Sequence, residues 1–172
     1  MHALLRRSVL LGVIGTGLTM VAAHSAWALE PAKGKVILTI SGKIGETNAP
    51  TGALFDLSML EKLPQQTFST NTPWDKAPVK FKGPLLRDVL AAVKANGTTL
   101  KAMALNDYQT TIPVEDATRF NVIVAHQMND KAIPISTKGP LFIIYPYDSL
   151  EELRAAKYYE RSAWQLKSLT VE

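Results

Sequence analysis

Only one stretch of this chain sustains a helical period. From Pro84 onward, Leu85, Leu86, Val89, Leu90 and Val93 recur at i, i+3/i+4 and i+7/i+8, a stripe that Asn96-Gly97 is expected to stop. Elsewhere, β-branched and aromatic runs of four to seven residues are cut short by Gly, Pro, Asn and Asp. A doubly wound fold needs a crossover helix between successive parallel strands, and these close-set runs leave no room for a regular set of them. The pattern therefore predicts an α+β domain of mostly short strands with one main helix.

Expected strands are Lys35–Ile40, Ala53–Leu57, Gln66–Asn71, Val79–Lys82, Val122–Ala125, Leu141–Tyr145 and Trp164–Val171. Leu100–Leu105 and Gln109–Pro113 flank Asn106-Asp107, a pair with turn chemistry, and read as a hairpin. Ser58, with Glu61 three positions on, has the form of a capping box for a short helix that Pro64 ends. Glu115–Arg119 reads as a single helical turn, Asn129-Asp130-Lys131 as a turn, and Ser149–Tyr159 as a short helix and loop.

The first residues have the organisation of an export signal. Arg6 and Arg7 form a basic start, Val9–Ala23 an apolar stretch, and Ala26-Trp27-Ala28 a small-x-small cleavage site. The apolar stretch falls short of the ~20 residues that span a bilayer core, which argues for cleavage over a retained anchor. The expectation is a signal peptide over residues 1–28, one domain over 29–172, no membrane span after cleavage, and a periplasmic or secreted destination. The Arg6-Arg7 pair also fits twin-arginine export, although an ordinary secretory signal suffices. Gly12-Val13-Ile14-Gly15-Thr16-Gly17 lies inside this segment, follows no strand, and is no nucleotide loop.

The segment carries two of the 19 basic residues and none of the 15 acidic ones. What remains is close to neutral, so nucleic acid is not an expected partner. The chain has no cysteine, which removes disulfides and thiol chemistry from consideration. Of its three histidines only His126 lies outside the export segment. One imidazole makes neither a zinc site nor, without a Gly-x-Ser-x-Gly elbow, half of a hydrolytic triad. Asn96-Gly97-Thr98 matches a glycosylation sequon but reads more economically as a turn.

Four pieces of sequence carry a family resemblance through their order and spacing. They are Phe81, Gly83, Leu86 and Leu90; Asp107-Tyr108 with Ile112-Pro113; Val122–Ala125 with Gly139-Pro140-Leu141; and Trp164-Gln165-Leu166. In these the chain resembles the molybdopterin-binding oxidoreductase domain of the sulfite oxidase family, which implies that family's fold. The resemblance also implies where chemistry would sit. The family's enzymes hold molybdenum through a cysteine thiolate just upstream of the aromatic-Gly step, where this chain has Thr67-Phe68-Ser69-Thr70-Asn71. Ser69 or Thr70 would occupy that position, and a neutral hydroxyl is a poor substitute for a soft thiolate. The arginine that the enzymes place near the phosphate of the pterin corresponds to Phe142.

Candidate cleft residues are Ser69, Thr70, Asn71, Asn106, Tyr108 and Lys138, with no side chain assigned a catalytic or metal-ligating role. Taken singly, Asp107 reads as a turn residue, and Arg87 as an exposed helix residue beside Asp88. Tyr108, Tyr145, Tyr147, Tyr158, Tyr159 and Trp74 could line the cleft. The competing reading places Tyr145 and Trp164 in the core, with Tyr158 and Tyr159 capping a loop. The functional expectation is a non-catalytic binding or interaction module with no cofactor, taking a small ligand or an envelope protein partner. The alternative is a molybdopterin-dependent oxidoreductase. For the export reading, N-terminal sequencing of the exported protein is expected to begin at or near Leu29. A chain that still begins at Met1 and pellets with membranes overturns it.

Overall fold

A computed structural model describes residues 29–172; the export segment expected over residues 1–28 lies outside the described residues. Its largest sheet runs in the order β2 (Ala53–Asp56), β1 (Val36–Gly42), β11 (Leu166–Val171), β5 (Thr99–Ala104), β6 (Gln109–Pro113). The β1–β11 pair is parallel, with Thr39 opposite Ser168, and every other pair in the sheet is antiparallel. Alternation shows in β1, where Leu38 and Ile40 are buried while their neighbours are not. In β11 a register shift between Leu166 and Ser168 turns Lys167 outward and returns Leu169 and Val171 to the core.

A second sheet has the order β3 (Gln65–Thr70), β4 (Val79–Pro84), β8 (Gln127–Met128), β9 (Lys131–Ala132). Beside it lies the antiparallel pair β7 (Ile123–Ala125) and β10 (Phe142–Ile144), buried along its whole length. These are the continuous apolar runs of the sequence, placed where a strand has no wet face. Gly83 is what lets β4 approach β7. A side chain there would drive into the Val124 carbonyl, and two residues on, Leu85 bridges to Ile123.

The expected mixed architecture is present, with helix ends set differently from the sequence reading. Helix α1 (Leu57–Lys62) is capped by Asp56, not by a Ser58–Glu61 box. The Oδ1 atom of Asp56 accepts from the Met59 amide at 2.9 Å and from the Ser58 hydroxyl at 2.7 Å. Its Oδ2 accepts the Lys33 and Gly34 amides at 2.8 and 2.7 Å, tying the N-terminal lead-in to the helix start.

Helix α2 (Leu86–Ala92) is the longest of the four α-helices among the described residues. Pro84 ends β4 instead of opening the helix, and Leu85 is the N-cap; the Leu86 N–H, which has no partner within the helix, donates to Val122 O, just before β7, at 2.8 Å. Termination also comes earlier than Asn96-Gly97. Lys94 adopts φ 48°, and the Ala95 amide reaches back to Leu90 O at 3.0 Å while the Lys94 amide bonds Ala91 O. That is a Schellman ending with lysine at the left-handed position. Gly97 serves a different contact, lying too close to the Glu172 carbonyl to carry a side chain.

The stripe expected to face inward does so: Leu86, Val89, Leu90 and Val93 are all buried. Helix α3 (Val114–Arg119) is slightly longer than the single turn expected, and Ser149–Tyr159 resolves into a 3-10 turn over Glu151–Arg154 and helix α4 (Ala156–Arg161). The closing strand begins at Leu166 and not at Trp164, because Gln165 takes φ 50° and interrupts the extended run. No helix among the described residues is long and apolar enough to cross a membrane.

Two expectations follow. Leu90→Ala removes a core side chain and is expected to cost about 2–5 kcal/mol in denaturant unfolding. Asp88→Ala on the half-exposed face is expected to cost less than about 1 kcal/mol; equal losses would mean that the wrong face is buried. The second concerns acid. Bonds from Gly34, Ser58, Met59 and Lys33 hold the Asp56 carboxyl far below its ordinary 3.8 against the opposing effect of burial. Its contribution is therefore complete above that ordinary value and is lost as pH falls below it. Unfolding midpoints from pH 6 to pH 2 are expected to fall more steeply for wild type than for Asp56→Asn. Parallel profiles would remove Asp56 as an acid-sensitive anchor.

Candidate functional site

Four connections converge at one end of the molecule: the β5–β6 turn, the Asn71–Asp75 loop after β3, the 133–138 loop before β10, and the α4–β11 link. Gln165 ties three of them together. Its amide donates to Lys138 O at 2.8 Å, its carbonyl accepts the Leu105 amide at 2.8 Å, and its side chain donates to Ile135 O at 2.7 Å.

These connections frame a cleft of about 310 Å³ lined by Trp74, Asn106, Tyr108, Tyr159, Glu160, Ser162 and Trp164. Trp74 is its floor. The Trp164 ring meets it edge-on with centroids 5.3 Å apart, and the Tyr159 ring at 6.1 Å. Behind it, Phe142 at 5.9 Å continues the aromatic packing into the core. Tyr108 is 43% exposed and bridges the mouth, its hydroxyl donating to Glu160 O at 2.8 Å. The β5–β6 turn holds Tyr108 in place: Asp107 takes φ 63°, and the Asn106 side chain accepts the Tyr108 amide at 3.1 Å.

Helix α4, which supplies Tyr159 and Glu160, is anchored from beneath by a buried polar network. The Asp116 Oδ2 atom accepts from the Tyr145 hydroxyl at 2.7 Å and from Arg161 at 2.8 Å. The Ser162 hydroxyl bonds Tyr147 and donates to Tyr158 O at 2.8 Å. Burial, reinforced by the Asp116 carboxylate, holds the Tyr145 phenol well above its ordinary value, so it remains a donor. Burial does the same to Tyr147. Among the described residues no buried side-chain polar atom lacks a partner.

The sequence-derived candidates are only partly gathered here. Asn106 and Tyr108 line the cleft. Asn71 lines an adjoining polar hollow of about 350 Å³ with Thr72, Pro73, Tyr147, Asp148, Arg154 and Tyr159. There its amide and its side chain both donate to Asp148 Oδ2, at 2.6 and 3.0 Å. Those bonds, the backbone one first, hold the Asp148 carboxyl below its ordinary value. Lys138 stands outside the cleft, 5.8 Å from the centroid of the Trp74 ring and 2.7 Å from Asp75. Burial pushes the Asp75 carboxyl up, but the bonds from Lys138 and Thr72 outweigh it and leave a net lowering.

Thr70 is buried at the end of β3; its hydroxyl accepts the Asp148 amide at 3.1 Å and donates weakly to Asn71 O at 3.4 Å. Ser69 projects to the exposed side of the strand, opposite Lys80. His126 is buried at the end of β7, bonds the Gln65 side chain at 2.8 Å, and is held below its ordinary value chiefly by burial.

A thiolate-held molybdenum with its phosphate-bearing pterin does not fit this donor set. Of the two neutral hydroxyls at the expected ligand position, that of Thr70 is already engaged by backbone and that of Ser69 is on an exposed residue. Among the described residues no three His, Asp or Glu side chains gather to hold an ion. Phe142, where a phosphate-binding arginine is expected, sits fully buried among Phe81, Trp74 and Trp164.

Sequence reasoning did not assign Glu160, Ser162 or Trp164 to the cleft. Trp164 reads as a strand residue, yet the turn at Gln165 leaves it at the cleft wall. Tyr158 and Tyr159 do not both cap a loop: on α4 one is buried and the other lines the cleft, as adjacent helical residues face different ways. Tyr145 is fully buried, as the core reading has it.

No curated protein matches the chain. Residues 55–158 match the family model of the oxidoreductase molybdopterin binding domain, from β2 into α4 and across more than half of the chain. With the mixed sheets and the β4–Gly83–α2 step in place, the chain belongs to the oxidoreductase molybdopterin binding domain family.

Proposed function

We propose that this family member is an exported binding or interaction module of the periplasm or the extracellular space, one that works without molybdenum. The observation that carries this reading is Thr70. At the strand end where the family's enzymes present a thiolate, its hydroxyl is buried and bonded to the Asp148 amide. Oxygen in that state is a poor ligand for a metal that the enzymes hold through sulfur. The aromatic core around Phe142 supports the same reading, since it offers a phosphate no charge-assisted bond. The basic, apolar and small-residue order of residues 1–28 supports export.

In place of a metal site, the fold offers the open cleft over Trp74, with rigid aromatic walls and a few polar groups, a form suited to a small ligand. Its function is then to hold that ligand, alone or for a partner in the cell envelope.

Metal and pterin analysis of protein purified from a host that makes the cofactor tests the reading. The expected result is no stoichiometric molybdenum and no turnover of sulfite or sulfoxide. Thr70→Cys alone is expected to create neither, because Phe142 still stands where the phosphate would need charge. About one molybdenum per wild-type chain, lost on Thr70→Ala or Ser69→Ala, would make the protein a molybdopterin-dependent oxidoreductase instead.

A further inference from the structure

The cleft's chemistry narrows the class of ligand. Four of its seven lining residues are aromatic, and only Glu160 carries a charge. Glu160 is exposed and joins none of the ion pairs among the described residues. The nearby cations are committed elsewhere: Arg161 to Asp116 at 2.8 Å and Lys138 to Asp75 at 2.7 Å. The one charged residue of the lining is acidic and none is basic, a composition that disfavours anions.

The aromatic arrangement favours cations. Trp164 and Tyr159 stand at 72° and 74° to Trp74, so ring faces and edges form a corner instead of a stack, with Tyr108 across the mouth. Ring faces carry the negative end of the quadrupole and attract ammonium groups within ~6 Å. Trp74 already shows this behaviour, with the Lys138 ammonium 5.8 Å from its centroid. That internal charge is neutralised by Asp75 and therefore opposes a second cation only weakly.

We propose that the cleft binds a small organic cation of the quaternary or methylated ammonium class, with Trp74, Trp164, Tyr159 and Tyr108 as its aromatic walls and Glu160 as its counter-charge. The proposal rests on the binding-module reading and specifies its ligand.

Choline and its neutral isostere 3,3-dimethylbutan-1-ol separate cation recognition from simple apolar filling. Of the three tryptophans in the sequence, Trp74 and Trp164 line the cleft, so intrinsic fluorescence reports on it directly. Choline is expected to perturb the emission saturably and to bind about ten-fold more tightly than the isostere. Glu160→Gln and Tyr108→Ala change exposed residues and leave the core intact. Each is expected to weaken choline about two- to five-fold, with Glu160→Gln leaving the isostere unchanged.

Equal binding of choline and the isostere overturns the cation assignment while leaving a binding cleft. No saturable response to choline from folded protein overturns it as well. Stoichiometric molybdenum, measured on the same preparation, strikes instead at the reading beneath it, so the two failures are distinguishable.

Discussion

The pairing of β11 between β1 and β5 is the constraint on which the rest of the molecule depends. It places the last strand of the described chain at the centre of the five-stranded sheet, parallel to the first. The β1–β11 contact joins residues about 130 positions apart, as in the Ser41–Thr170 hydroxyl bond, so its loop-closure entropy must be repaid by burial along the whole strand. Leu166, Leu169 and Val171 supply that burial. Where the chain enters this strand, Gln165 turns sharply and bonds two neighbouring loops at once, and Trp164 just before it becomes a cleft wall. A central strand thus doubles as the positioning device for the site.

The buried polar network under α4 does for the opposite wall what Gln165 does for the loops. The Asp116–Arg161 pair is charged and largely removed from water, and its geometry is completed by the Tyr145 hydroxyl. Removing one member of such a pair typically costs about 3–5 kcal/mol, because the other is left buried and unpaired. A six-residue helix has little stability of its own. Anchored in this way, it presents Tyr159 and Glu160 in a fixed arrangement, which lowers the ordering cost of binding.

On the proposed reading, family membership and chemistry come apart in this protein. The β3–β4 hairpin, the Gly83 contact and the buried β7–β10 pair are scaffold features, governed by backbone approach and apolar burial. In that reading metal chemistry would hang on one donor atom at the end of β3, where the Thr70 hydroxyl is buried and bonded to the Asp148 amide. A fold can therefore persist while its site turns to a different ligand.

Periodicity and punctuation by themselves determined much of the architecture. The α2 stripe, the β5–β6 hairpin and the buried runs of β7 and β10 are local patterns whose burial any compact fold must respect. The family motif added the order of the elements, and the absence of cysteine ruled out a thiolate ligand before any coordinate. Tertiary structure decided the rest. Asp56 caps α1 through one carboxylate oxygen while Lys33 and Gly34 fold back onto the other, and α2 ends at Lys94, whose left-handed backbone lets Ala95 bond Leu90 O. Ser69 and Thr70, adjacent in sequence, went to opposite faces of one strand, and Tyr158 and Tyr159 to different sides of one helix. Whether an aromatic side chain becomes core or cleft wall depends on what packs across it, and those partners here come from loops distant in the sequence.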